Sequence, residues 1–164
     1  MIVVSSWAGI SAKFLWRLLR LPPRLLYGLG LGPIYGRLVL LLTTTGRKSG
    51  LPHITPLQYE AVEGKIMVVA ARGRQADWVR NIVANPEVNV RIKSRHFAGR
   101  AETVTDPVQI ADFLALRLRR HPTVIGLILR MAGLPANPTR IQLEEYASRR
   151  VLVVIQPVRA VNNN

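Results

Sequence analysis

Thr43-Thr44-Thr45-Gly46-Arg47-Lys48-Ser49-Gly50 gathers the groups of this chain best suited to holding an anion. Two cations and a hydroxyl stand between two glycines, directly after the apolar run Leu38-Val39-Leu40-Leu41-Leu42. β-Branched threonines favour extended backbone, and glycine permits the positive φ of a tight turn. The stretch predicts a buried strand that turns sharply with Arg47 and Lys48 at its tip. Such a turn can aim backbone N–H groups, a hydroxyl and two cations at one anion. The same residues also make an ordinary basic hairpin turn. The spacing is not G-x-x-x-x-G-K-[ST], and a strand rather than a helix is expected next, so a P-loop is excluded.

Other chemistry is sparse. There is no cysteine, which excludes disulfides, thiolate metal sites and thiol catalysis. The three histidines, His53, His96 and His121, lack metal-ligand spacing, and no metal is expected. No Ser–His–Asp constellation is recognisable. Tyr59, His121 and Tyr146 are proton donors by type, and each also reads as a structural residue. The formal charge of +14 implies an anionic partner. No Asp or Glu precedes Glu60, whereas Lys13, Arg17, Arg20, Arg24, Arg37, Arg47 and Lys48 all do. A nucleic-acid partner is not expected: helix-turn-helix, zinc and RNA-recognition signatures are absent, and aromatics at 6% are few for base stacking.

The elements that must position these groups follow from periodicity. Ser5 or Ser6 caps a helix that runs to about Leu21, where Pro22-Pro23 stops it. Trp7, Ile10, Phe14, Leu18 and Leu21 share one side of it, and Lys13, Arg17 and Arg20 another. Such a basic amphipathic helix suits an anionic membrane surface, or packing on the domain. No small-residue cleavage site follows it, and charges and prolines interrupt every stretch of spanning length. Leu25–Gly36 reads as a short irregular connection or a broken helix. Strands are expected at Arg37–Thr45, His53–Val62 with Pro56 at a bulge or edge, Lys65–Ala71 buried on both faces and central, Glu87–Lys93, His96–Val104 and Val151–Gln156. Asp77 is expected to cap a short helix to Ala84. Asp106 caps a second to Arg120, with Gln109 completing a capping box and Ile110, Phe113, Leu114 and Leu118 inward. A third helix covers Thr123–Met131, and a fourth starts at the Thr139/Gln142 box. The class is α+β: one domain over 1–164, with the basic helix and connection in 1–36 and a six-stranded, mostly antiparallel barrel over 37–157, its added helices preceding the last strand.

Leu41–Gly50, Thr55-Pro56-Leu57, Tyr59, Val69-Ala70-Ala71, Trp78 with Asn81, and Ala84-Asn85-Pro86 with Val88 and Val90 form an ordered set. It resembles the deazaflavin-dependent nitroreductase family, deazaflavin-dependent oxidoreductases with an FMN-binding-type split β-barrel. The resemblance implies binding of coenzyme F420, an 8-hydroxy-5-deazaflavin with a phosphodiester and glutamate tail. It implies hydride transfer to an apolar acceptor: a quinone, an enone or a nitro compound. By this resemblance Arg47, Lys48 and Ser49 hold the tail, with His53 where the family often has arginine. Ile54, Thr55, Pro56, Leu57 and Gln58 lie along the ring. Ala70, Ala71, Arg72, Gly73, Trp78 and Asn81 flank the ring and its ribityl chain. Some members carry donor tyrosines on the late helical segment, where this chain has His121, Val124 and Leu127, a lining that suits a quinone or enone.

Hydride chemistry resident on a coenzyme agrees with the lack of a protein nucleophile. The alternatives are FMN on the same barrel, or a lipid- or cofactor-carrying protein without catalysis at a membrane surface. The expected place is the cytoplasm or the inner face of the cell membrane, and a homodimer is open.

Overall fold

The computed structural model describes residues 39–158. The expected N-terminal helix, its connection, Arg37 and Leu38 lie outside the described residues. Seven strands form one antiparallel sheet: β1 Val39–Thr45, β2 Pro52–Gln58, β3 Glu60–Val62, β4 Lys65–Ala70, β5 Glu87–Ile92, β6 Arg95–Val104 and β7 Val151–Pro157. Among the described residues four helices accompany them: α1 Asp77–Ala84, α2 Pro107–Arg120, α3 Pro122–Met131 and α4 Arg140–Ala147. A single 3₁₀ turn, Gly73–Gln75, leads into α1.

The strand order is β2-β1-β5-β6-β7-β4-β3. β2 and β3 stand at opposite ends of it, yet Tyr59 alone separates them in the chain. A flat sheet would hold its first and seventh strands about 29 Å apart. Two peptide links span at most about 7.6 Å. The sheet must therefore curl until its two ends meet at Tyr59.

This joint corrects the expectation of six strands. The expected strand His53–Val62 is two strands with different partners, because β2 pairs with β1 and β3 with β4. No Gly, Asn or Asp marks the change of partner, so the extended pattern runs through it unbroken.

Inside the curl, alternate residues of four strands make the core: Leu40, Leu42, Val68, Val90, Val153 and Ile155 are each 1% exposed or less. Ile82 and Val79 of α1 join them. A second core lies on the outer face, where Ile110, Phe113, Leu114, Ile125, Leu129 and Leu143 pack on Leu152, Met67 and Val69. β4 therefore buries Ile66, Val68 and Ala70 on one face and covers Met67 and Val69 with helices on the other. That explains its unbroken apolar run. It is next to the end strand rather than central, and it stops at Ala70.

The caps differ in detail. The α4 box of Thr139 and Gln142 is present. At α2, Asp106 accepts from the Val108 N–H at 3.0 Å, but the Gln109 side chain donates to the Asp106 carboxylate rather than accepting from the Asp106 backbone N–H. Ala76, not Asp77, is the N-cap of α1, and Asp77 is drawn sideways by Arg47. In α2, Ile110, Phe113 and Leu114 are buried as expected, Leu118 half so, and Arg117 is buried beside them.

Leu42 is completely buried where β1 pairs with both β2 and β5. Leu42→Ala should lower unfolding free energy by about 2–5 kcal/mol, read as a shift of the urea midpoint at unchanged slope.

Candidate functional site

The turn after β1 closes tightly. The Gly46 N–H donates to the Leu51 carbonyl and the Gly50 N–H to the Gly46 carbonyl, both at 2.7 Å. Gly50 takes the left-handed φ of +68° that this geometry needs. Ser49 Oγ accepts from the Leu51 N–H at 3.3 Å and lies 3.5 Å from His53 Nε2. A Cβ on Gly46 would stand 2.6 Å from Ser49 Oγ and 2.7 Å from the His53 ring, so the first glycine makes room for these side chains.

The two cations part company here. Arg47 folds back onto α1 rather than standing free at the tip. Its backbone N–H and one guanidinium nitrogen both donate to Asn81 Oδ1, at 3.2 and 3.0 Å, and a second nitrogen pairs with Asp77 at 3.0 Å. Asn81 is 4% exposed and passes the chain on, its amide donating to the buried Thr44 hydroxyl at 3.2 Å. Thr44, Asn81, Arg47 and Asp77 thus tie the end of β1 to α1. Among the described residues the Lys48 side chain has no partner, and the N–H groups of Lys48 and Ser49 donate to no backbone or side-chain acceptor. Those three donors are available to an anion.

β2 runs from this turn as an end strand with no partner on its outer edge among the described residues. Its register puts His53, Thr55 and Leu57 opposite Thr44, Leu42 and Leu40, on the inner face. Ile54, Pro56 and Gln58 therefore face outward, with Ile54 66% exposed. Pro56, lacking an N–H, suits such an edge.

The remaining expected residues divide. Ala70 is buried at the end of β4, while Ala71 and Arg72 are exposed. Gly73 is buried with φ +52°, and a Cβ there would meet the Arg149 carbonyl oxygen at 2.6 Å, so its role on view is close packing. Trp78 is half-buried against the inner core. Arg47 also borders an open cleft of about 540 Å³ with Arg74, Arg80, Thr103 and Thr105. Sequence reading missed Arg74 and Arg80, since nothing in their spacing links them to a turn far away in the chain.

The three donor candidates are scattered. Tyr146 carries the Arg150 guanidinium 4.2 Å above its ring. Tyr59 occupies the joint, and burial together with the neighbouring Glu60 carboxylate raises its phenol above the usual range. His121 Nε2 lies 3.1 Å from Glu60, which also pairs with Arg120 at 2.9 Å and faces the buried Arg117 at 3.8 Å. Glu60 gave no signal in the sequence, because its partners lie about sixty positions later.

The hydrogen bond from Arg47 lowers the Asp77 pKa below its ordinary 3.8. A depressed carboxylate stabilises the fold above its unfolded pKa, and that contribution fades as pH falls through the folded value. Asp77→Asn should therefore flatten the decline of stability as pH falls below about 4, measured as melting temperature against pH.

Known proteins align with this arrangement. The stretch 28–123 matches the F420H(2)-dependent quinone reductase family. An F420H(2)-dependent quinone reductase of Mycobacterium tuberculosis is 35% identical over 68 residues, which is 40% of this chain and 46% of that protein, so the match spans about half the relative's length. Among solved structures, a conserved hypothetical protein of M. tuberculosis superposes with a TM-score of 0.54 at 19% identity, covering 74% of this chain and 73% of that one. A chain described as a domain-swapped dimer gives 0.50 at 22% identity, covering 73% and 81%. The last two share the fold. With the family match extending over more than half of its length, from before β1 to the start of α3, this chain belongs to the F420H(2)-dependent quinone reductase family.

Proposed function

We propose that this protein transfers a hydride from reduced coenzyme F420 to a quinone. The observation that carries the reading is the open edge of β2 leading directly out of a turn with three unused donors. An anionic tail needs such donors, and a flat ring needs an accessible strand edge. The residues present fit the coenzyme on both counts. Lys48 and the amides of Lys48 and Ser49 would hold the tail, with His53 beside them. The backbone of Ile54–Gln58 would lie along the ring, and Ala70–Gly73 and Trp78 would bound it.

Coenzyme F420, when bound, supplies the hydride. The chain's own residues bind, orient and exclude water, and these tasks need no protein nucleophile. Arg47 and Asn81 act in this reading mainly by fixing the turn and α1 against each other, and Arg74 and Arg80 extend positive potential along the neighbouring cleft. Curling of the sheet into a split barrel, enone or nitro compounds as further acceptors, a cytoplasmic place with peripheral contact at the membrane through the N-terminal segment, and a homodimer belong to the same reading. A quinone is itself apolar, which suits a protein that can meet a membrane surface.

Fluorescence titration with coenzyme F420 tests the reading and separates the two cations. Lys48→Ala should weaken binding about tenfold or more, with little change in melting temperature, because one charge-assisted contact is worth about 1.5–3 kcal/mol. Arg47→Ala should weaken binding and also lower the melting temperature, since it unties α1. Wild-type affinity should fall with added salt. Unchanged affinity in Lys48→Ala would refute the site.

A further inference from the structure

We propose that His121, held by Glu60, donates the proton that the acceptor takes up as it is reduced. The proposal rests on the quinone-reductase reading above. A quinone that receives a hydride gains one bond to hydrogen and a negative oxygen. A proton must then reach that oxygen to give the hydroquinone.

The geometry places a donor beyond the far end of β2. Gln58 faces outward, since its neighbour Leu57 lies opposite the buried Leu40. Glu60 pairs with Met67, which packs against the outer helices, so Glu60 faces outward too. The outward side of β2 thus continues through the joint to Glu60, about 7 Å past Gln58 along an extended chain. One hydrogen bond further stands His121, at 3.1 Å. The tail-holding turn lies at the opposite end of β2, so ring and acceptor would lie between the two.

His121 is placed rather than mobile. It sits between α2 and α3 with φ −135° and ψ 61°, and its N–H donates to the Arg117 carbonyl at 2.8 Å. Its side chain is 34% exposed, against 9% for Glu60. Nε2 faces the carboxylate, and Nδ1 has no partner among the described residues. The imidazolium would give its Nδ1 proton to the acceptor oxygen and keep Nε2–H on Glu60. Water then restores the proton.

The other groups around it do different work. Arg120 bridges Glu60 and the Ala61 carbonyl, which suffices to latch β3 to α2. Arg117 faces Glu60 from inside the helix packing. Tyr59 occupies the joint itself and packs against the inner core. Glu60 is a positioning residue and His121 the donor.

The test uses wild type, His121→Gln, His121→Gly and Glu60→Gln. With menadione as acceptor, His121→Gln should lower kcat by about 10²–10⁴ while KM and coenzyme affinity change little. Imidazole added to His121→Gly should restore part of the rate. In the coenzyme-free protein, ring ¹⁵N shifts of His121 should report the Nε2–H form when neutral, and a mixture of forms in Glu60→Gln. Wild-type kcat in His121→Gln, no response to imidazole, or an Nδ1–H ring in wild type would overturn the proposal. Wild type that binds no coenzyme would overturn the parent reading and this proposal together, which the ring shifts cannot do alone.

Discussion

One residue sets the shape of this fold. Tyr59 must join the first and last strands of a seven-strand order, and chain connectivity allows a separation of only a few ångströms. The remaining strands have no choice but to curl. The inner face then fills with small aliphatic side chains, and the outer face is left to helices. The same joint leaves β2 as an end strand with an open edge and delivers Glu60 to the C-terminal end of α2. The end-strand position of β2 and the placing of Glu60 beside His121 are two consequences of one connection.

A second constraint governs the cationic turn. Arg47 and Lys48 are adjacent in sequence and opposite in role. Arg47 spends its hydrogen-bonding capacity on Asn81 and Asp77, a mixed arrangement of one buried amide and one exposed carboxylate. An exposed ion pair adds little by itself. The guanidinium bond to the buried Asn81 amide, whose oxygen also accepts the Arg47 backbone N–H, matters more. A braced turn is the result, and in the proposed reading such bracing would let Lys48 and two amides meet an anion without first being ordered.

Much of the architecture was legible in sequence because each local signal agreed with the fold. The alternation in β5, the Asp106-Pro107 start of α2 and the Thr139/Gln142 box each carried their own meaning. The turn between β1 and β2 was legible too, since Gly46 and Gly50 stand where a close contact and a positive φ require them. What escaped were features made by distant partners. The change of partner at Tyr59 has no turn residue to mark it. Asp77 looks like a cap until Arg47, thirty positions earlier, claims it. Glu60 looks like an isolated charge until Arg120 and His121 arrive beside it. Arg47 read as a free cation because its captor, Asn81, lies on another element.

The central claim is that the turn and the open edge of β2 together hold the coenzyme. Backbone amide shifts of the ¹⁵N-labelled protein, followed as coenzyme F420 is added, test it most directly. The account predicts the largest changes at Lys48, Ser49 and the β2 amides of Ile54 and Leu57, continuing to Ala71 and Arg72. Changes confined to α2, α3 and α4, with the turn and β2 unmoved, would contradict it.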